Sequence, residues 1–153
     1  MGRLAEKLAG YPVIGLDTTV FIYHLEAHPV FLPLTQKIFS AVEQGTLRAV
    51  TSTITLMEIN VHPFQLNRMD IARKYEALLV NFPNLAIVDI DREIARRAAQ
   101  LRAEFHIRPA DALQVAASLV HKAGAFVTND HQLGRLRSLT DIIILEDFVP
   151  LSK

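Results

Sequence analysis

Four acidic residues follow apolar segments or open the helical patterns next to them. Asp17 directly follows the apolar segment VIGL, and Glu58 lies in TSTITLME. Asp111 lies in RPADAL, and Asp130 follows FVTN. Carboxylate oxygens are preferred ligands of hard divalent cations such as Mg²⁺ and Mn²⁺. If the four acids converge, they would form a site for such an ion, which can assist the hydrolysis of phosphate esters.

Each acid also has an ordinary structural interpretation that the residues alone leave open. Asp17 and Asp130 could cap helices, because Asp is a favoured N-cap residue. Glu58 could complete a capping box that begins at Thr55, and Asp111 could complement a helix dipole. Two carboxylates about 5 Å apart repel each other by roughly 3 kcal/mol at an effective dielectric near 20. A fold that gathers all four therefore favours a cation among them.

The elements that position these acids alternate along the chain. Apolar segments predict five buried strands, at 13–16, 47–52, 85–90, 125–128 and 142–146. Helical periodicity predicts helices at 34–45, 68–83, 91–105 and 109–124, with Gly45 and Gly124 as C-terminal stops. This alternation predicts an α/β fold, a three-layer α/β/α sandwich around a mainly parallel sheet of about five strands. Its sites should lie at the carboxyl ends of the strands.

Composition limits the class of protein. The 153 residues suit one domain, here 1–153, and 50% of them are hydrophobic, enough for a substantial core. The absence of cysteine excludes disulfides and thiolate metal sites. Lys and Arg number 16, as do Asp and Glu, whereas a dedicated nucleic-acid binder usually has a basic excess. No segment resembles a signal peptide or a membrane span, so we expect a cytoplasmic protein without membrane contact.

Other arrangements of polar residues are incomplete or structural. His24 and His28 are four residues apart, but a zincin motif requires Glu where Leu25 stands. We therefore interpret both histidines as structural or surface residues. Asp91 also follows a predicted strand, and we interpret it as a plain N-cap. Most basic residues between 68 and 102 would form solvated helix faces, and a minority could line a track for phosphates. Arg108, just before the acidic block, is the best single candidate to contact a phosphate.

Four segments together resemble the PIN-domain nucleases, and among them the VapC-type ribonuclease toxins of toxin–antitoxin pairs. They are LDTTVFIYHLE, TSTITLMEI, RPADALQVAASLVHKAGAFVTND and IIILEDF, and the resemblance covers nearly the whole chain. It implies a PIN-like fold in which four acids bind the metal and catalyse the reaction: Asp17, Glu58, Asp111 and Asp130. It also implies that small polar residues orient these acids or the substrate: Thr18, Thr128 and Asn129. The segment VHPFQLNR, with Pro63 soon after Glu58, departs from the family pattern.

The resemblance further implies an endoribonuclease that depends on Mg²⁺ or Mn²⁺, with a metal-activated water attacking the phosphodiester. An RNA substrate, a homodimer and a protein antitoxin that silences the acidic site are implied in the same way. The helix predicted from residue 68 to residue 82, both apolar and basic, could provide a groove for a partner helix. Two alternatives stay open: a PIN-fold protein-binding module with little or no nuclease activity, and a housekeeping nuclease without an antitoxin.

Overall fold

A single five-stranded sheet forms the centre of the computed structural model, which describes residues 2–150. Residue 1 and residues 151–153 of the predicted domain lie outside the described part. The strands are β1 (Val13–Leu16), β2 (Arg48–Ser52), β3 (Leu85–Val88), β4 (Ala125–Thr128) and β5 (Asp141–Ile144). Their order is β3-β2-β1-β4-β5, and all neighbouring strands are parallel. The predicted mainly parallel sheet of five strands is confirmed.

Within the described residues 2–150, seven α-helices and two 3₁₀ helices connect and flank the strands. The α-helices are α1 (Gly2–Leu8), α2 (Thr18–Leu25), α3 (Leu32–Glu43), α4 (Thr53–Gln65), α5 (Met69–Val80), α6 (Arg92–Phe105) and α7 (Pro109–Val120). The 3₁₀ helices span His131–Ser138 and Leu145–Phe148. No α-helix in the described residues is long and apolar enough to cross a membrane.

The helix ends agree with the sequence in part. Gly45 has a φ of 79°, so it provides the left-handed stop predicted after α3. Gly124 does not end α7, because the helix stops at Val120 and Lys122 takes the left-handed conformation instead, with a φ of 63°. Pro63 lies inside α4, which continues to Gln65.

Two apolar cores cover the two faces of the sheet. Along β4, Ala125 and Val127 belong to one core and Phe126 to the other, because side chains alternate across a strand. The first core is built with residues of α1 to α5, and the second with residues of α6, α7 and the first 3₁₀ helix. Each fully buried large apolar side chain contributes roughly 1.5–3 kcal/mol to folding. Because helices pack on both faces of the sheet, the predicted α/β/α sandwich is confirmed.

Gly15 in β1 allows α7 to approach the centre of the sheet. A Cβ atom at this position would overlap the Ser118 hydroxyl and would lie 2.7 Å from the Ser118 Cβ and 3.0 Å from the Phe126 ring. Since real side chains do not approach so closely, only glycine permits α7 to pack directly on β1. This contact brings the first turn of α7, which carries Asp111, toward the end of β1, which precedes Asp17.

Candidate active site

The candidate site lies where the order of the strands reverses. After β1 the chain continues to β2 on one side, whereas after β4 it continues to β5 on the other side. The carboxyl ends of β1 and β4 therefore border the crevice in which α/β sheets usually bind ligands. Asp17 directly follows β1, and Asp130 lies two residues after the end of β4.

Asp17 is almost fully buried and both of its carboxylate oxygens accept hydrogen bonds. Its exposed fraction is 7%, Oδ1 accepts from the Thr18 backbone N–H at 2.8 Å, and Oδ2 accepts from the Thr128 hydroxyl at 2.7 Å. The pKa of Asp17 is raised to about 6, and burial is the largest cause. The two hydrogen bonds act to lower this pKa, whereas the negative charges of Asp111 and Glu58 act to raise it. Asp17 thus caps α2 and also lies within the influence of two other predicted acids.

Glu58 is held toward this edge by a side chain of α2. The Thr18 hydroxyl donates to Glu58 Oε1 at 2.6 Å. Ser52, rather than Thr55, caps α4, because the Ser52 hydroxyl accepts from the Ile54 N–H at 3.1 Å. The capping-box interpretation of Glu58 is therefore wrong, and its carboxylate is directed by Thr18 instead.

Gln114, which sequence reasoning missed, fixes the position of Thr18. This residue of α7 is 3% exposed, and its Nε2 donates to the hydroxyls of Thr18 at 2.9 Å and Thr55 at 2.8 Å. Its Oε1 accepts from the Ser52 hydroxyl at 2.7 Å. The amide thereby connects α2, α4 and α7 and leaves the Thr18 hydroxyl hydrogen for Glu58. A single amide in the apolar helix segment ALQVAASLV was the signal that could have revealed it.

Arg108 joins the other two acids. Its Nε donates to Asp111 Oδ2 at 2.9 Å, and its Nη2 donates to Asp130 Oδ2 at 3.2 Å. Asp111, then Asp130 and Asp17, raise the pKa of the guanidinium, whose side chain is nevertheless 74% exposed. A positive charge is thus drawn to the edge where the acids meet, and solvent can reach it.

The three predicted orienting residues have different contacts. Thr18 directs Glu58, and Thr128 connects two acids, because its hydroxyl donates to Asp17 and accepts from the Asp130 N–H at 3.1 Å. Among the described residues, the Asn129 side chain has no hydrogen bond to either of these carboxylates. Its Oδ1 accepts from the Glu146 N–H, and its Nδ2 donates to the Tyr23 hydroxyl. Asp130 Oδ1 also caps the following 3₁₀ helix by accepting from the Gln132 N–H at 2.9 Å.

The donor set fits a hard divalent cation. It consists of carboxylates, two of which already bind one cationic group, the Arg108 guanidinium. Within residues 2–150, no three His, Asp or Glu side chains stand close enough together to form a ready-made metal-binding group. Binding of an ion would therefore require the carboxylates to converge further and the exposed Arg108 side chain to give way.

The residues interpreted as structural behave as predicted. The Asp91 side chain caps α6 by accepting from the Ile94 N–H at 2.9 Å. His24 Nδ1 lies 3.1 Å from the Thr35 hydroxyl, and burial lowers the pKa of His24. His28 Nδ1 accepts from the backbone N–H groups of residues 30 and 31 and so stabilises the turn after α2.

Comparison with known proteins identifies the family. The family model described as PIN domain matches residues 14–139, which include all four acids. The chain belongs to the PIN domain family. A search of curated proteins found no match for this PIN domain.

Several solved structures share the fold at low sequence identity. A crystal structure of VapBC2 from Rickettsia felis, bound to a DNA fragment from their promoter, has a TM-score of 0.68 at 17% identity and covers 85% of this chain and 96% of that chain. FitAcB from Neisseria gonorrhoeae has a TM-score of 0.63 at 19% identity, with 87% and 98% coverage. VapBC-5 from Mycobacterium tuberculosis, a member of the VapBC family of toxin–antitoxin systems, has a TM-score of 0.57 at 21% identity, with 87% and 98% coverage. The predicted similarity to VapC-type PIN proteins is therefore confirmed for the fold.

Proposed function

We propose that this PIN domain is an endoribonuclease that depends on Mg²⁺ or Mn²⁺. The observation that carries the proposal is that hydrogen bonds link the four acids at the edge where strand order reverses. Thr128 links Asp17 to Asp130, and Arg108 links Asp130 to Asp111. Thr18 links Asp17 to Glu58. The burial and like-charge contacts that raise the pKa of Asp17, together with the guanidinium drawn to two other acids, indicate an edge that favours positive charge.

The metal ligands would be Asp17, Glu58, Asp111 and Asp130, directly or through water. A bound divalent ion would supply Lewis acidity, polarising a phosphodiester oxygen and lowering the pKa of a water for attack. The donor set contains only oxygen, which favours Mg²⁺ or Mn²⁺ over softer metals.

The residues around the acids orient them. Thr18 fixes one oxygen of Glu58, and Gln114 holds Thr18 through a buried amide. Thr128 fixes one oxygen of Asp17 and also accepts from the Asp130 backbone N–H. Such supporting hydrogen bonds limit rotation of the carboxylates and so prearrange the ligands. Arg108 has N–H groups beyond the two that bind the acids, and these would contact a phosphate of the substrate.

Membership in the PIN domain family supports RNA as the proposed substrate and a protein partner. Similar structures include toxin–antitoxin complexes, and we propose that this chain is likewise a cytoplasmic toxin with a protein antitoxin and that it forms a homodimer. Three large apolar side chains on α5 support a partner-binding surface there, because Met69, Leu78 and Val80 are each about half exposed.

Cleavage of labelled single-stranded RNA tests the proposed activity. We expect the purified protein to cleave RNA with Mn²⁺ or Mg²⁺ and to lose this activity with EDTA. Asp111→Asn should lower kcat/KM by at least about 100-fold, because it removes a charged ligand of the metal. Asp91→Asn, which alters an acid outside the site, is the matched control and should cleave like the wild type. Intact RNA at high enzyme concentration with Mn²⁺ would refute the nuclease proposal and favour a protein-binding module.

A further inference from the structure

A polar cleft opens beside the acids, along α2. Its volume is about 550 Å³, which lies within the range of small-molecule sites. It is lined by Thr19, Tyr23, Arg108, Asn129, Asp130 and Gln132. Arg108 and Asp130 belong to both the acidic edge and the cleft. A linear polymer bound across the acids would therefore also extend into the cleft.

Asn129 determines whether the Tyr23 hydroxyl donates or accepts in the hydrogen bond between them. The Asn129 Oδ1 must be the atom that accepts from the Glu146 N–H at 3.0 Å, so its Nδ2 faces Tyr23 and donates to the hydroxyl at 3.1 Å. The Tyr23 oxygen is therefore an acceptor in this bond, and its own hydrogen is left for another group. Among the described residues, the Tyr23 hydroxyl hydrogen has no protein acceptor within hydrogen-bond distance. The hydroxyl can therefore donate to a ligand in the cleft.

The ring of Tyr23 is held by its other neighbours. It stacks on Phe31, with ring centroids 4.6 Å apart and an angle of 19° between the planes, and it packs against His28 at 4.9 Å. Aromatic packing of this kind fixes the position of the ring. Tyr23 would therefore recognise a ligand mainly through its hydroxyl group and less through its face.

Thr19 adds a second hydroxyl. Thr18 points from α2 toward the acids, whereas its neighbour Thr19 lines the cleft. The buried Thr19 hydroxyl oxygen has no hydrogen-bond partner among the residues that the structure describes. Buried polar atoms normally have a partner. Rotation of the Thr19 side chain would turn this hydroxyl toward the cleft, where it would gain a hydrogen bond from a polar ligand.

We propose that this cleft binds the nucleotide next to the scissile phosphate of single-stranded RNA, an inference that rests on the proposed nuclease function. Arg108 would contact a phosphate of that nucleotide, and the hydroxyls of Thr19 and Tyr23 would bind its base or ribose. A cleft of this size accepts one unstacked nucleotide and excludes a duplex, as is usual for sequence-specific recognition of RNA. The cleft would thus contribute to the choice of cleavage site.

The substitution Tyr23→Phe tests this role, because it removes one oxygen and keeps the ring that packs on Phe31. We expect KM for a single-stranded RNA to rise about threefold to tenfold, which corresponds to the loss of one hydrogen bond. The kcat, the Mn²⁺ affinity measured by calorimetry and the melting temperature should stay as in the wild type. Tyr75→Phe is the matched control, since Tyr75 lies on α5 and does not line the cleft.

Two further measurements separate this proposal from the proposed activity. Sequencing of the products from an RNA with randomised positions should show that Tyr23→Phe alters the preferred nucleotide beside the cut, and that Tyr75→Phe does not. Titration of the Mg²⁺-loaded protein with each of the four nucleoside 5′-monophosphates should shift the NMR signals of the Asn129 side-chain amide.

The outcomes distinguish the two proposals. If RNA is cleaved but Tyr23→Phe matches Tyr75→Phe in KM and in cleavage pattern, the cleft proposal is wrong and the nuclease proposal stands. A second outcome is that RNA is not cleaved, but the monophosphates shift the Asn129 amide and Tyr23→Phe needs about threefold to tenfold more of them than the wild type. The cleft then binds nucleotides and the nuclease proposal is wrong.

Discussion

The substitution Asp17→Asn tests whether Asp17 only caps α2 or also belongs to a cluster of carboxylates. The pKa of Asp17 is raised to about 6, mainly by burial, against an ordinary value of 3.8. Because the folded state binds this proton more tightly, the protonated carboxyl favours folding below about pH 4. This contribution is lost as pH rises through the folded pKa. At pH 7 without metal, the ionised Asp17 therefore lowers the free energy of unfolding by roughly 3 kcal/mol relative to the protonated form.

The Asn side chain keeps part of the wild-type contacts. Its Oδ1 can still accept from the Thr18 N–H, since Asn caps helices about as well as Asp. Its amide N–H groups would face the Thr128 hydroxyl, which in the wild type donates to Asp17 and accepts from the Asp130 backbone N–H. Disturbing that hydrogen bond costs about 1 kcal/mol. We therefore expect metal-free Asp17→Asn to be more stable than the wild type at pH 7 by about 1–2 kcal/mol.

Thermal melts measure this difference. For a chain of this size, 1–2 kcal/mol corresponds to a rise in Tm of about 2–8 °C. In EDTA the rise should be present at pH 7 and should largely disappear at pH 4, where Asp17 of the wild type becomes protonated. Asp91→Asn is the matched control, because Asp91 is an exposed N-cap outside the site, and it should change Tm little at either pH.

Mn²⁺ should reverse the order of stability. At a hundredfold excess over Kd, the wild type should gain about 2.7 kcal/mol, and Asp17→Asn should lose most of this gain because it lacks one charged ligand. Equal melting temperatures in EDTA at pH 7, together with equal shifts with Mn²⁺, would refute the reasoning. Asp17 would then be only a helix cap.

Two other predictions concern Arg108 and the oligomeric state. Arg108→Gln should bind Mn²⁺ about threefold to tenfold more tightly by calorimetry, because no guanidinium competes for Asp111 and Asp130. Its cleavage of RNA should fall, because the contact with a phosphate is lost. Unchanged or weaker Mn²⁺ binding would contradict competition between Arg108 and the metal. Light scattering should give about twice the chain mass of 17.1 kDa, and a monomer at every concentration would exclude the homodimer without affecting the nuclease proposal.

The sequence predicted each strand but not where the outer strands end. The predicted strands at 85–90 and 142–146 end at Val88 and Ile144 in the structure. In both cases the neighbouring strand ends in the same register, at Ser52 and at Thr128. Ser52 becomes the cap of α4, so β3 loses its partner there. Since a strand needs a neighbour for its hydrogen bonds, its end depends on another segment that its own residues do not reveal.

The acids of the site were accessible to sequence reasoning, but the residues that support them were less so. An acid directly after an apolar segment is a local signal, and the topology then brings Asp17 and Asp130 to one edge. Gln114 gives almost no local signal, because its role depends on three partners that lie 59 to 96 residues away: Thr18, Ser52 and Thr55. Such long-range networks become visible only when the helices are packed.

The structure also shows why capping and chemistry could not be separated at Asp17 from the sequence. A cap requires only a backbone that turns into a helix, and both Asp17 and Asp91 satisfy this condition. Burial among other charges is a separate property, and it belongs to Asp17 because β1 lies at the centre of the sheet and α7 packs on it through Gly15. The pKa of Asp17 is raised although two hydrogen bonds act to lower it, so burial outweighs the stabilisation that capping provides. Asp17 is therefore a cap whose charge is unfavourable in the metal-free protein, and such a charge favours the binding of a cation.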